Sequence, residues 1–437
     1  MIKRIRAIAG PLDLRQLHRE HPSRYPFLLQ STAPGGELGR YDILFAFPGD
    51  ALVAHAGESF LDALDKRWQA ERANTIDSKL PFTGGWFLYL GYELAQQVEP
   101  GLDLEHDPVL PAAFAVRCPT ALIYDHEEKQ CFLVCETPEC VNQEQLLADI
   151  ASLDRSKPAG VSTVISVAEQ EPADFIAAVI RAKAYIEAGD IYQANLSREW
   201  HAAVTAGLEA SDVYEALCAS NPGPFAGMAR WRDIEIISSS PERLISVRDG
   251  MVSTRPIAGT RPRSADSDTD DDLSAELFAH PKERAEHIML IDLERNDLGR
   301  VCVAGTVEVN EMMVLESYTH VHHIVSNVQG RLSEGVTPGQ AIAAVFPGGT
   351  ITGCPKVRCM QIISELEDGP RGAYTGSFGY LNRDGSLDLN ILIRTIVKQG
   401  GRVTFRAGSG IVADSDPGAE LEETRAKAKG MLRAIGR

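Results

Sequence analysis

Two glutamates near the end of the chain pose the first chemical question. In "DSDPGAELEETRAKAKGMLRAI" Glu420 and Glu423 stand three residues apart on a predicted helix, so their carboxylates share one face near its positive end. Alone, they describe an ordinary solvated helix start, with Glu423 to Lys427 as an i,i+4 pair. They gain meaning if a third acid meets that face, and Glu286 is the candidate. In "KERAEHIMLIDLERNDLGR" the apolar residues Ile288, Met289, Ile291 and Leu293 define an expected packed side, with Glu286 and Arg295-Asn296-Asp297 at its margins. Carboxylates from two separate elements, completed by water and substrate oxygens, suit Mg²⁺, which takes few protein ligands.

Several loops look shaped around an anion yet offer no nucleophile. "STRPIAGTRPR" at 253–263 combines close-packing positions (Ala258, Gly259), a hydroxyl (Thr260) and three arginines. "FPGGTITGCPKVR" at 346–358 has Gly348-x4-Gly353 but continues Cys-Pro where a phosphate loop needs Lys-Ser or Lys-Thr. It still leads into a predicted helix, whose first backbone N–H groups can hold a carboxylate, and Lys356 is either a ligand contact or a surface cation. "AGSGIVADS" lacks the third glycine of a dinucleotide fingerprint and reads as a strand ending in small residues. His320, His322 and His323 fall on a predicted strand, His323 facing away from the other two, without the acid or cysteine spacing of a metal site. Cys354 precedes a proline and lacks a nucleophile elbow.

The totals limit the ligands. The 437 residues are 44% hydrophobic and 24% charged, and 61 acids against 43 bases give a net charge of −18. Such a surface repels nucleic acid and anionic lipid, so an anionic substrate needs a cation or clustered arginines inside the site. A bound Mg²⁺ answers that need by inverting the local field. No apolar run approaches a membrane span, and "MIKRIRAIAGPLDL" lacks the apolar core of a secretory signal, so a cytoplasmic location is expected. "CFLVCETPEC" packs three of the eight cysteines together, but no second pair follows; buried thiols are expected.

These residues must be positioned by elements the pattern predicts. Residues 1–150 mix short strand-like runs with loops, 151–172 read as a polar linker, and 173–433 carry the motif-like stretches. "PADFIAAVIRAKAYIEAGD" is a helix closed by Gly189, and "IYQANLSREW" a strand. Asp249-Gly250 marks a two-residue hairpin turn, and a helix is expected from about 273 to 298, interrupted near Pro281. Asp416 caps the final helix with Pro417 at its first position.

In combination, "GDIYQANLSR", "SSSPERL", "RPIAGTRPR", "AEHIMLIDLERNDLGRV", "FPGGTITGCPKVRCMQIISELE", "YTGSFGYL", "LNILIRT" and "AGSGIVADSDPGAELEETRAKA" resemble the chorismate-utilising enzymes. The resemblance covers 173–433 strongly and 1–150 more weakly. It implies a large α+β fold of facing β-sheets with helices outside.

The resemblance also implies roles. Glu242 matches the general acid that protonates a departing hydroxyl, and His323 near the ring and Thr350 complete the expected catalytic set. Tyr374 and Arg394 match contacts to the enolpyruvyl carboxylate. Gln193, Ala258, Gly259, Thr260, Gly408, Gly410 and Lys356 are the expected substrate-binding positions, and Glu286, Glu420 and Glu423 the Mg²⁺ ligands. Gln193 stands where the water-using branch has a lysine base. Because glutamine cannot deprotonate water, the ammonia-using branch is implied, with a separate glutamine amidotransferase subunit. Asn195, "NPGPF" and "FPGGTITGCPK" resemble aminodeoxychorismate synthase component I, whereas Ala258, in place of the lysine many of those enzymes have, resembles anthranilate synthase component I. A non-catalytic chorismate-binding subunit is the alternative from another class. Gln30 stands where feedback-regulated anthranilate synthases have glutamate.

Overall fold

The computed structural model describes residues 5–8, 12–32, 39–54, 59–74, 79–137, 142–153, 164–205, 207–262, 281–317 and 321–436, with backbone alone at 258–262, 281–283, 317 and 321–322. Two large antiparallel sheets, flanked by helices, make an α+β fold.

The first sheet runs in the order Ile5–Ile8, Gln130–Cys135, Thr120–Asp125, Tyr41–Ala46, Phe27–Gln30, Phe225–Trp231, Ile234–Ser240, Thr395–Gln399, Arg402–Ile411, Gln193–Val204, Gly353–Cys354. The second runs Ile257–Pro262, Val321–Arg331, Met251–Arg255, Arg243–Arg248, Leu387–Asn390, Ser377–Asn382, Gly85–Leu90, Ala113–Cys118, Ala51–Val53. Strands from residues 1–150 and from 173–433 are therefore neighbours in both sheets. The segment expected as a linker contributes the strand Val164–Glu169, paired with Gln193–Val204.

An aromatic core fills the space between the sheets. Phe27 and Phe45 from the first meet Phe87, Phe114 and Phe378 from the second, and the Phe27 and Phe87 rings stack at 4.0 Å. Strands covered on both sides need no polar face, which is why "GWFLYL" is buried at every position. On the outer face of the first sheet pack the helices Leu14–Glu20, Ala210–Ser220 and Pro417–Ala434. Phe60–Glu71, Pro281–Gly299 and Pro338–Val345 cover the second.

Local signals hold where turn and cap chemistry is explicit. Asp249 and Gly250 take φ of 52° and 75°, the pair of positive values a type I′ hairpin requires. The Asp416 side chain accepts from the Ala419 N–H at 2.8 Å, with Pro417 next. Of the helix expected over 273–298, Pro281–Gly299 is observed and 273–280 lie outside the described residues.

That helix corrects one expectation. Its buried residues are His287, Leu290, Ile291, Glu294, Asp297 and Leu298, while Ile288 is exposed. The packed side is thus a stripe at helical spacing that includes two acids, not the apolar set Ile288, Met289, Ile291 and Leu293. The cysteines bring a second correction. Cys118, Cys131, Cys218, Cys302, Cys354 and Cys359 are free thiols, but Cys135 is disulfide-bonded.

Candidate active site

The site is built at two of the points where the chain passes from one sheet to the other. Ser240-Pro241-Glu242 connects the Ile234–Ser240 strand of the first sheet to Arg243–Arg248 of the second. Ile391-Leu392-Ile393-Arg394 makes the reverse passage, from Leu387–Asn390 to Thr395–Gln399. The two passages are stitched together: the Ile391 N–H donates to the Glu242 carbonyl at 3.0 Å, and the Ser239 N–H to the Arg394 carbonyl at 3.2 Å. Arg394 carries a left-handed φ of 51°, a conformation that costs about 1 kcal/mol or more for a side-chain-bearing residue and so must be held by these contacts.

Glu242, which is buried, and Arg394, which is partly exposed, consequently face one another. Burial pushes the Glu242 carboxyl up to about 7, against the opposing pull of the Thr350 hydroxyl, the Ile257 backbone N–H and the Arg394 cation. Burial likewise lowers the Arg394 guanidinium, with Glu242 opposing. A carboxyl in this condition holds its proton near neutrality, which is what general-acid chemistry requires.

A third loop closes on the same point. The Thr375 N–H donates to the Leu392 carbonyl at 2.8 Å and the Leu392 N–H to the Gly376 carbonyl at 2.8 Å, which fixes Tyr374 beside the second passage. A methyl group on Gly408 would lie 2.6 Å from the Tyr374 hydroxyl, and one on Gly410 would lie 2.5 Å from Nε2 of Gln193. These two glycines face Ser197 and Asn195 in the register of Arg402–Ile411 against Gln193–Val204, so Gln193, Asn195, Gly408 and Gly410 share one face. The loop 346–354 completes the wall: the Asn195 N–H donates to the Thr352 carbonyl at 2.9 Å, and Gly353 pairs with Ala194.

Four polar atoms here are buried and lack a hydrogen bond of ordinary geometry among the described residues: Oε1 of Glu242 and Oγ1 of Thr350, which are close enough to feel one another without closing that bond, and Oε1 of Gln193 and Nδ2 of Asn195. Buried polar atoms cost free energy when unpaired, so a cluster of them marks the place of a polar ligand.

The remaining expected residues are distributed as follows. His323 is buried on Val321–Arg331, its backbone opposite Thr260 and Glu316. Ala258, Gly259 and Thr260 lie on the adjoining strand Ile257–Pro262, their side-chain positions outside the described residues, as is His320. Lys356 donates to the Asp297 carboxylate and, at 3.0 Å, to the Val345 carbonyl. Gln30 donates to the Asp42 carboxylate at 2.8 Å beside an open cavity of about 870 Å³.

The expected metal ligands Glu420 and Glu423 lie on the Pro417–Ala434 helix directly over the glycine strand. Lys427 Nζ ties the two elements, meeting Glu423 at 2.7 Å and the Gly408 carbonyl at 2.9 Å. Oε2 of Glu420 is buried without a hydrogen-bond partner. An orphaned carboxylate oxygen one turn from a second carboxylate fits a hard divalent cation that completes its shell with water and substrate. Glu286 is half-buried on Pro281–Gly299. Among the described residues no three His, Cys, Asp or Glu side chains close into a metal site.

Two buried groups escaped the sequence reading. Glu294 is 6% exposed, and a methyl group on Gly349 would come within 3.2 Å of its Oε1. His287 meets Ser326 Oγ at 2.6 Å, and burial lowers its ring to about 4, so it is neutral at physiological pH. Helical spacing from Leu290 and Ile291 was the signal for both.

The chain is similar to known proteins over most of its length. The chain is 42% identical to the anthranilate synthase component I-like protein of Synechocystis over 93% of its own length and 86% of that protein's. It is 37% identical to aminodeoxychorismate synthase component 1 of Bacillus subtilis, over 97% and 94% of the two chains. The crystal structure of anthranilate synthase component I from Streptococcus pneumoniae TIGR4 superposes with a TM-score of 0.82 at 31% identity, covering 92% of this chain and 94% of that one. The model of the chorismate binding enzyme family matches residues 25–433, the span that contains both passages, the glycine strand and the acidic helix, and the chain belongs to that family.

Proposed function

We propose that the protein is an aminodeoxychorismate synthase component I, which aminates chorismate with ammonia to 4-amino-4-deoxychorismate, a precursor of p-aminobenzoate and folate. The observation that carries the reading is a buried, proton-holding carboxyl (Glu242) that faces a cation (Arg394), in a site whose Gln193 amide cannot act as a base. A protein that only bound chorismate would have no use for the buried acid.

The chain's own residues divide the work. Arg394 and Tyr374 hold the enolpyruvyl carboxylate, for which the arginine fork offers paired donors. Glu242 gives its proton to the C4 oxygen, the C4–O bond breaks with its electron pair leaving as water, the ammonia lone pair forms the new bond at C4, and the proton that nitrogen sheds returns to Glu242. Gly408 and Gly410 leave room for the ring, Thr350 and His323 border it, and Gln193 orients the nucleophile. Because Gln193 removes no proton from water, the nucleophile arrives with its lone pair free, as ammonia does. Glu420 and Glu423, with Glu286, would hold Mg²⁺, which supplies charge neutralisation for the ring carboxylate. The ammonia comes from a separate glutamine amidotransferase subunit, in keeping with the "component 1" names of the relatives.

Ala258 supports a second reading, anthranilate synthase component I, because it offers no amine to attack C2 and leaves ammonia to add there itself. One incubation separates the two. Purified protein is given chorismate, Mg²⁺ and ammonium at alkaline pH. A product converted to p-aminobenzoate only by an added lyase supports the first reading; fluorescent anthranilate overturns it in favour of the second.

A further inference from the structure

Tyr374 reaches the site from a short loop that Arg371 holds in place. The Arg371 side chain is buried, and all five of its N–H donors meet protein acceptors. Nη2 donates to the Asn195 carbonyl at 2.7 Å. Nη1 donates to the Ile351 carbonyl at 3.1 Å and, at a longer 3.4 Å, to the Thr375 hydroxyl. Nε, at 2.9 Å, and the second Nη2 hydrogen grip the Glu367 carboxylate. The main chain of Arg371 takes part as well. Its carbonyl accepts from the Tyr374 N–H at 3.0 Å, and its own N–H donates to Oε1 of Glu93 at 2.8 Å. One residue therefore joins the strand of Gln193 and Asn195, the loop of Thr350, and the loop of Tyr374. The last of these needs holding, because Thr375 has a φ of 62°, a left-handed value that is costly for a β-branched residue.

We propose that Arg371 is a positioning residue for substrate binding: by tying the Tyr374–Thr375 turn to the Asn195 and Ile351 carbonyls, it sets where the Tyr374 hydroxyl stands beside Gly408. This rests on the reading of Tyr374 as a contact to the enolpyruvyl carboxylate. Arg371 itself does not touch substrate, since no guanidinium hydrogen is left to donate. Charge balance alone does not call for it either, because Arg406 already pairs with Glu367 at 3.0 Å. What Arg371 adds is reach. Its acceptors lie around a planar fork on separate segments of the chain, whereas an ammonium presents three donors from a single point. Glu367 keeps the fork from turning, and the Ser197 N–H, which donates to Glu367 at 2.7 Å, anchors that carboxylate to the strand facing Gly408.

The test is a double-mutant cycle on chorismate consumption, with Mg²⁺ and ammonium saturating, among Arg371→Lys, Tyr374→Phe and the double variant. Each single variant should raise KM for chorismate about tenfold and keep kcat within about threefold, the split expected when binding is lost and chemistry is not. The double variant should have a KM within about threefold of that of Tyr374→Phe, because the hydroxyl through which Arg371 acts is already gone. Multiplied effects, about a hundredfold in the double variant, are what an independent structural residue gives, and they overturn the proposal. An unchanged KM in Arg371→Lys overturns it too. Urea titration checks that each variant is folded. Should Arg371→Lys fail to fold, Arg371→Met, which leaves Glu367 paired with Arg406, takes its place in the cycle. Tyr374→Phe tells the two failures apart. If its KM equals the parent's, the carboxylate contact itself falls; if its KM rises and the effects multiply, only the role of Arg371 falls.

Discussion

Gln193 and Gly410 lie on adjacent strands with the amide nitrogen of one 2.5 Å from where a methyl group on the other would stand. The absence of a side chain at 410 is therefore what lets Gln193 lie flat against the sheet. Gly410→Ala should push the amide off the floor of the site and lower kcat/KM at least tenfold, with an unchanged circular dichroism spectrum. Gly299→Ala, where nothing lies within 4 Å, is the matched control and should leave turnover intact.

Glu242→Gln should lower kcat by about 10² to 10⁴ with little change in KM, since the variant keeps the shape and loses the proton. Its effect on stability has a definite sign. A carboxyl whose folded value is raised, from 4.5 to about 7, favours the fold only while protonated. That contribution is complete below pH 4.5 and lost as pH climbs to 7. Glu242→Gln should therefore be about 2–3 kcal/mol more stable than the parent at pH 8, relative to their difference at pH 4, in urea titrations.

Arg394→Lys keeps the charge and gives up the fork. An ammonium cannot reproduce paired donation to a carboxylate, so KM for chorismate should rise about tenfold or more, with kcat less affected. Steady-state kinetics at saturating ammonium measures the split.

Glu423→Gln should abolish Mg²⁺-dependent turnover and leave the fold intact, because its carboxylate is half exposed and its loss breaks only the surface pair with Lys427. Full activity at any Mg²⁺ concentration would remove the helix from the metal assignment.

Glu367 sits between Arg371 at 2.5 Å and Arg406 at 3.0 Å, all three enclosed. Burial pushes its carboxyl up, but the two guanidinium groups outweigh burial and hold it below the ordinary range. Its contribution to stability is present above pH 4.5 and lost as pH falls through the lowered value. Glu367→Gln leaves two cations short of a partner and should cost about 3–5 kcal/mol at pH 7, read from the urea midpoint.

Much of the site was legible because its residues sit in loops and strand ends whose composition is unusual for any other purpose. Asp249-Gly250, the Asp416 cap and the Gly408/Gly410 pair each have a local cause, and the structure has each in place. What could not be read was the inward direction of Glu294 and Asp297. Hydropathy assigns acids to solvent, and only the spacing of His287, Leu290, Glu294 and Asp297 along the helix, set against its actual neighbours, reverses that assignment. The pairing of the two passages was equally hidden, since Glu242 and Arg394 are distant in the chain and nothing local to either names its partner. The strand Val164–Glu169 was concealed by polar, half-exposed residues that resemble a linker.

The sheet order has a consequence for how the molecule is made. In the second sheet, strands from the first 120 residues reach the rest only through Ser377–Asn382 and Leu387–Asn390. In the first sheet, Gln193–Val204 waits for Arg402–Ile411. Both hairpins come later in the chain than most of the strands they join, so neither sheet can be completed before they have been synthesised. Until then the protein must carry an open, apolar, strand-rich intermediate, and it is at that stage that aggregation competes with folding and a chaperone has most to protect.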